Sequence, residues 1–387
     1  MSDVFLRPEL AEQMAQQLLR PTGLDIGLRS GLFLSGLRRT GKTTFLRNDL
    51  IPALENAGAL VIYVDLWSDT QTSPAKLVRA AIRKALEELQ TPASTLLEKL
   101  RAIKGADFGG FGFKFGFKLE NVGLEGGATL ADVLAEVVDQ AKTDVVLIVD
   151  EVQHAITTEE GNQLLLALKA ARDAINPRPA TPGHFLFIGT GSHRAMVSEL
   201  TARRNQAFSG ATNVPYPVLA REYVEFVLTR LAKEGLGPLP SIEVADEAFN
   251  TLGNRPEELI RALRQLLLSS PRDKNPDEIL PVIASTLRAS AADVELMKVE
   301  EMGSLAQAVF ARIASTDGGA RGVFSTEAAA EYSKAVGREV RVEEIQPVAN
   351  ELLAANLIMR RGHGVYGVTD PFVQEIWREK QIMLGKC

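Results

Sequence analysis

Residues 36–43 read Gly-Leu-Arg-Arg-Thr-Gly-Lys-Thr. Glycines at Gly36 and Gly41 allow a tight turn whose backbone N–H groups point at an anion. Lys42 adds an ammonium, and Thr43 a hydroxyl suited to a divalent cation. That combination is the chemistry of a triphosphate bound with Mg²⁺. Gly36, Leu37, Arg38, Arg39, Thr40, Gly41, Lys42, Thr43 and Thr44 are therefore the candidate segment for ATP or ADP. A second constellation lies about a hundred residues on. The apolar run Val145–Val149 ends in Asp150-Glu151. There Asp150 would hold Mg²⁺, directly or through water, opposite Thr43, while Glu151 would polarise an attacking water. A third apolar run, Phe185–Ile188, ends in Gly189-Thr190-Gly191-Ser192. A hydroxyl here would sense a γ-phosphate or position water, with Thr190 the first choice and Ser192 the second.

These residues need strands that end together. Leu32–Leu34, Leu60–Leu66, Val145–Asp150 and Phe185–Ile188 are short apolar runs of the kind that form buried strands. Segments with helical spacing separate them (9–20, 74–89, 130–141, 162–175), and the stretch after Thr43 would place phosphate at a helix N-terminus. Strands alternating with helices predict an α/β fold, a three-layer αβα core around a parallel sheet, over residues 1–217. Helices expected at 221–233, 243–252, 256–269 and 276–289 form a helical lid, 218–292. Three more (303–314, 325–336, 342–355), then a hairpin turning at Gly362–Gly364, follow the plan of a winged helix, 300–387.

Composition narrows the class. The chain has 387 residues, 45% apolar, with a formal net charge of −6, so no whole-molecule basic footprint for nucleic acid exists. Its single cysteine, Cys387, excludes a disulfide framework, and its four histidines lack metal-ligand spacing. The start shows no extended apolar stretch, and a soluble, cytoplasmic protein without a membrane partner is expected. From Glu301 onward ten Lys/Arg face eleven Asp/Glu, and the third helix of the expected winged helix carries Glu343, Glu344 and Glu351 against Arg341. Nucleic acid is thus only weakly supported as a partner, through Arg360, Arg361 and His363 at the hairpin tip.

The order of the phosphate loop, Asp150-Glu151-Val152-Gln153 and the strand-end Thr190-Gly191-Ser192 resembles the AAA+ P-loop ATPases. Within them it is most similar to the archaeal-type ATPases of the origin-recognition and STAND-like branch. Arg204-Asn205-Gln206-Ala207-Phe208-Ser209-Gly210 and Tyr366-Gly367-Val368-Thr369-Asp370-Pro371-Phe372 extend the resemblance to most of the chain. It implies that Arg204, or Arg203 beside it, is an arginine finger supplied to a neighbour's ATP. It also implies a lid sensor at Gly253-Asn254-Arg255-Pro256, either Arg255 or Arg261. Self-association or a protein partner would then complete the ATP site.

One stretch belongs to none of this. Within Phe108–Leu119, phenylalanine alternates strictly with glycine and lysine from Phe111, predicting a β-hairpin insert at about 106–127 with one apolar face. That face would pack on the core, mediate self-association, or stack on bases. Three functions remain open at this level. The first is a Mg²⁺-dependent ATPase acting as a conformational or assembly switch. The second is a DNA-associated initiator or transposition-helper ATPase. The third is a STAND-like signalling or defence switch gated by a protein.

Overall fold

The computed structural model describes residues 4–104, 113–119, 122–123, 126–202, 206–269, 275–362 and 364–385. The chain divides into two compact units, Met1–Gly36 with Lys42–Tyr216, and Leu37–Gly41 with Pro217–Cys387.

In the first unit, β1 (Leu32–Ser35), β2 (Leu60–Asp65), β3 (Val145–Asp150), β4 (Phe185–Gly191) and β5 (Thr212–Pro215) form a five-stranded sheet in the order β2-β3-β4-β1-β5. Every pairing is parallel, so all strands end at one edge. Both faces are covered, and the two-residue alternation of a strand sorts the side chains. Val145, Leu147 and Val149 enter one core with Phe33, Leu60, Phe185 and Phe187. Val146 and Ile148 enter the other with Leu32, Leu34, Phe45 and Leu186. The first face is covered by α4 (Pro74–Gln90), α5 (Thr95–Lys104), α6 (Leu130–Ala141) and α8 (Glu159–Ile175). The second is covered by α1 (Pro8–Leu19) and by a helical segment made of α2 (Lys42–Phe45), a π turn (Leu46–Leu50) and α3 (Ile51–Asn56). The short α7 (Gln153–Ile156) and α9 (Arg194–Ala202) follow β3 and β4. A Cβ on Gly189 would lie 2.5 Å from the Phe33 ring, so only glycine fits that crossing of β1 and β4.

β5 was not expected from sequence. It is an edge strand, Thr-Asn-Val-Pro, half-buried or exposed throughout, and lacks the apolar run that marks a buried strand. The expected insert hairpin also differs. Residues 113–119 form no strand. Their backbone groups pair instead with helices: Phe113 N donates to Leu89 O (2.9 Å), Gly116 N to Glu136 Oε1 (3.1 Å), and Lys114 O and Leu119 O accept from Gln140 and Arg83. With those partners no returning strand is needed. Phe113 is buried, and Phe115 and Phe117 stack at 5.4 Å against the same core. Residues 105–112, 120–121 and 124–125, including Phe108 and Phe111, lie outside the described residues.

The second unit begins with α10 (Arg221–Lys233), α11 (Ile242–Thr251) and α12 (Pro256–Ser269). Next, α13 runs unbroken from Pro276 to Glu301, beyond the expected end at 289. Residues 282–301 contain no glycine or proline, so nothing stops it before Gly303. Then come α14 (Ser304–Ala314), β6 (Ala320–Arg321), α15 (Thr326–Val336), α16 (Val342–Ala354), β7 (Ile358–Gly362), β8 (Val365–Val368) and α17 (Pro371–Met383). The antiparallel sheet β6-β8-β7 packed on these helices is the winged-helix arrangement. At the wing, Arg360 donates to Tyr366 OH at 3.1 Å and Arg361 reaches Val368 O at 3.5 Å. Both tip arginines thus fold back on their own hairpin, while His363 lies outside the described residues. Among the described residues no helix is long and apolar enough to cross a membrane.

Candidate nucleotide site

β1 delivers the phosphate loop at the carboxyl edge of the sheet, where α/β folds bind ligands. Gly36 N donates to Gly191 O at 3.2 Å, fixing the loop's start against β4. Within the loop Thr40 donates to Leu37 O (2.9 Å), and Arg39 and Gly41 take left-handed φ values of 64° and 89°. Arg38, Arg39 and Thr44 are exposed, whereas Lys42 is 6% exposed and its Nζ donates to Gly36 O at 3.1 Å. An ammonium so placed is held along the loop, beside its backbone amides.

β3 brings Asp150 to the same edge, 1% exposed. Its two oxygens are held separately. Thr43 Oγ1 donates to Oδ2 at 2.7 Å and Tyr63 OH to Oδ2 at 3.2 Å. Thr190 donates to Oδ1 in a short hydrogen bond, and Glu151 N reaches Oδ1 at 3.1 Å. A hydroxyl and a carboxylate oxygen converging in this way are the hard oxygen donors that Mg²⁺ takes, with phosphates and water completing the shell. The described residues hold no cluster of three or more His, Cys, Asp or Glu able to bind a metal by themselves.

Glu151 follows with φ 55°, a left-handed conformation uncommon for a glutamate. The turn sends its carboxylate away from Asp150 and towards β4, where Ser192 Oγ (2.7 Å), Ser192 N (3.2 Å) and Gln153 Nε2 all donate to Oε2. Burial pushes the Glu151 carboxyl up, but these donors and the charge of Lys42 outweigh it and hold it below the usual carboxylate range. It is therefore ionised at neutral pH. A Cβ on Gly191 would meet Gln153 Oε1 at 2.5 Å, so this glycine makes room for the Gln153 amide.

The two strand-end hydroxyls thus have defined partners. Thr190 braces Asp150, and Ser192 braces Glu151. Sequence reasoning missed a further group beside them. Asp65 ends β2 directly opposite Asp150, and Tyr63 and Arg47 stand next to it. Asp65 is raised by burial first and then by the nearby charge of Asp150, while burial and Asp150 also push the Tyr63 phenol up. The signal was available: Leu60–Val64 followed by Asp65 has the same apolar-run-then-acid form as Val145–Asp150.

The arginines separate differently. Arg203 and Arg204 lie outside the described residues. Arg255 donates to Asp370 Oδ2 at 2.6 Å, both side chains about one-fifth exposed. Arg261 is exposed, 3.7 Å from Glu258.

Residues 27–197 match the AAA domain family. No curated protein matches this chain by sequence. Among solved structures, it is similar over 97% of its length to 96% of a Walker-type ATPase of Pyrococcus abyssi, at 16% identity and a TM-score of 0.55. The ADP form of the Aeropyrum pernix ORC2 protein is similar over 100% of this chain and 97% of its own, at 14% identity and a TM-score of 0.56. The AAA domain match spans this loop and these strand ends, and the chain shares its fold with the Walker-type ATPase of Pyrococcus abyssi and the Aeropyrum pernix ORC2 protein.

Proposed function

We propose that this chain binds and hydrolyses ATP with Mg²⁺, and that turnover drives a conformational or assembly switch. The observation that carries the reading is the hydrogen bond joining Thr43 to Asp150 beside the loop that holds Lys42, with Glu151 braced next to them and within reach of the Lys42 charge. In this reading Lys42 and the loop amides bind the phosphates. Thr43 and Asp150 hold Mg²⁺, which neutralises charge on the phosphate oxygens when bound. Thr190 keeps Asp150 in place. Glu151 accepts a hydrogen bond from the attacking water and orients it in line with the γ-phosphate. Arg204, or Arg203, is proposed to reach the nucleotide of a neighbouring subunit, where such a residue adds about 10³–10⁵ in rate. Residues 1–217 would form the ATPase core, 218–292 the lid and 300–387 the winged-helix domain, in a cytoplasmic protein.

A switch that works without DNA is favoured over one gated by DNA. The lid's motif arginine is paired with Asp370, while the wing-tip arginines are engaged by their own hairpin. A DNA-associated initiator predicts turnover that rises with DNA. A protein-gated signalling switch predicts slow turnover and retained nucleotide. The test is phosphate release from Mg·ATP by the purified chain, with and without DNA, beside its solution mass in ATP and in ADP. Release above background with a nucleotide-dependent mass supports the proposal. A chain that binds nucleotide but releases no phosphate and keeps one mass overturns it.

A further inference from the structure

The ATPase reading uses the Asp150 oxygens but leaves the phenol on Oδ2 without a role. Tyr63 belongs to the pleat of β2 that faces the helix following the phosphate loop, in the core that also holds Phe45 and Leu46. Its hydroxyl reaches the same Asp150 oxygen as Thr43. Both hydroxyls donate to the same oxygen, at 2.7 Å from Thr43 and 3.2 Å from Tyr63, while Thr190 and the Glu151 amide hold the other. The phenol is itself held. The Arg47 guanidinium lies 4.9 Å over its ring, and Arg47 is drawn there by Asp65, 3.6 Å away on the strand-end position opposite Asp150. Asp65 is fixed in turn by Trp67 N at 2.8 Å. Arg47 lies four residues after Thr43, one turn further along the same helical segment. The chain that supplies the hydroxyl of the cation site thus also supplies the strap over the tyrosine.

We propose that Tyr63, held by Arg47 and Asp65, is a positioning residue for the cation site, fixing the Asp150 carboxylate plane so that Oδ2 faces Mg²⁺ carried by the nucleotide. This rests on the nucleotide reading above and assigns it a residue outside the phosphate loop and the Asp150-Glu151 pair. With the Tyr63 hydroxyl absent, the donor left on Oδ2 among the described residues is Thr43, which is needed at the ion. The carboxylate is then free to turn about its Oδ1 contacts. Outer partners of metal ligands typically change metal affinity by about 10–100-fold when removed, and the long 3.2 Å bond places this one at the lower end.

The experiment titrates Mg²⁺ against binding of a fluorescent ADP analogue to the full chain, for wild type, Tyr63→Phe and Arg47→Gln, with melting temperature and affinity in EDTA as companions. Tyr63→Phe keeps the ring and its packing. We expect its Mg²⁺ midpoint to rise about 10-fold, with EDTA affinity and melting temperature unchanged. Arg47→Gln, at a half-exposed side chain, shifts the midpoint less, by about 3-fold. A Tyr63→Phe midpoint within about twofold of wild type, or one that shifts only together with EDTA affinity and melting temperature, overturns the assignment and leaves the nucleotide reading standing. Wild type that shows no Mg²⁺-dependent binding overturns both.

Discussion

Among the six non-glycine residues described at a left-handed φ, Glu151 (55°) in the first unit and Asn254 (54°) in the second invite comparison. Each costs on the order of 1–2 kcal/mol relative to ordinary backbone. At Glu151 the strain separates two adjacent carboxylates, Asp150 towards Thr43 and Tyr63, Glu151 towards Ser192 and Gln153. At Asn254 it joins two pieces of chain distant in sequence. Asn254 Nδ2 donates to Leu219 O at 3.0 Å, Gly253 backs onto the Phe372 ring, and Arg255 pairs with Asp370, 115 residues away. The same backbone device thus shapes the candidate site in one unit and fastens the chain in the other. An arginine in a motif position is not thereby a free cation.

The comparison breaks most visibly at Lys42. Lys42→Ala removes the buried ammonium and is expected to weaken ATP binding by about 10²-fold or more, measured by calorimetry. The fastening in the second unit has nothing to do with that loss, so its melting behaviour should stay. Next in size is the Arg255–Asp370 pair. A double-mutant cycle with Arg255→Ala and Asp370→Ala should give a coupling of about 1–2 kcal/mol in chemical denaturation, below the value of a fully buried pair because both groups keep some water. A coupling near zero would leave the second turn without its proposed use. Asn254→Ala should cost about 1–2 kcal/mol, since alanine lacks both the αL tolerance and the amide contact, and Asn254→Gly should recover part of that.

The smallest effect concerns pH. The folded Glu151 pKa is depressed, so its ionised form adds stability above the unfolded carboxylate value of about 4.3, and that stability is lost as pH falls through the lower folded value. Ser192→Ala deletes one donor and raises the folded value. The acid limb of the melting-temperature profile should therefore move to higher pH in Ser192→Ala than in wild type. An unmoved limb would mean that the serine hydroxyl does not brace this carboxylate.

Much of the core was legible because its strands are buried on both faces and so read as unbroken apolar runs, Val145–Val149 above all. The phosphate loop and Asp150-Glu151 stood out because phosphate and Mg²⁺ chemistry tolerates few residue types. What escaped had weaker physical signals. β5 is a polar edge strand, and the end of α13 was placed too early although no breaker stood there. The insert's alternation suggested a strand partner, whereas Arg83, Glu136 and Gln140 satisfy its backbone. Tyr63, Asp65 and Arg47 come from two elements that only the sheet register and the helix face bring together. The partner of Arg255 could not be read either, because ion pairing across 115 residues leaves no local trace.

The central claim is that Glu151 orients water at a site where Lys42, Thr43 and Asp150 bind Mg·ATP. Glu151→Gln keeps the size and the hydrogen-bonding capacity of the side chain while removing its charge. Binding of Mg·ATP by calorimetry and phosphate release under saturating Mg·ATP, measured on the same preparations, test the claim directly. The account predicts affinity within about threefold of wild type and a kcat lower by about 10²-fold or more. Equal turnover in Glu151→Gln and wild type would contradict it.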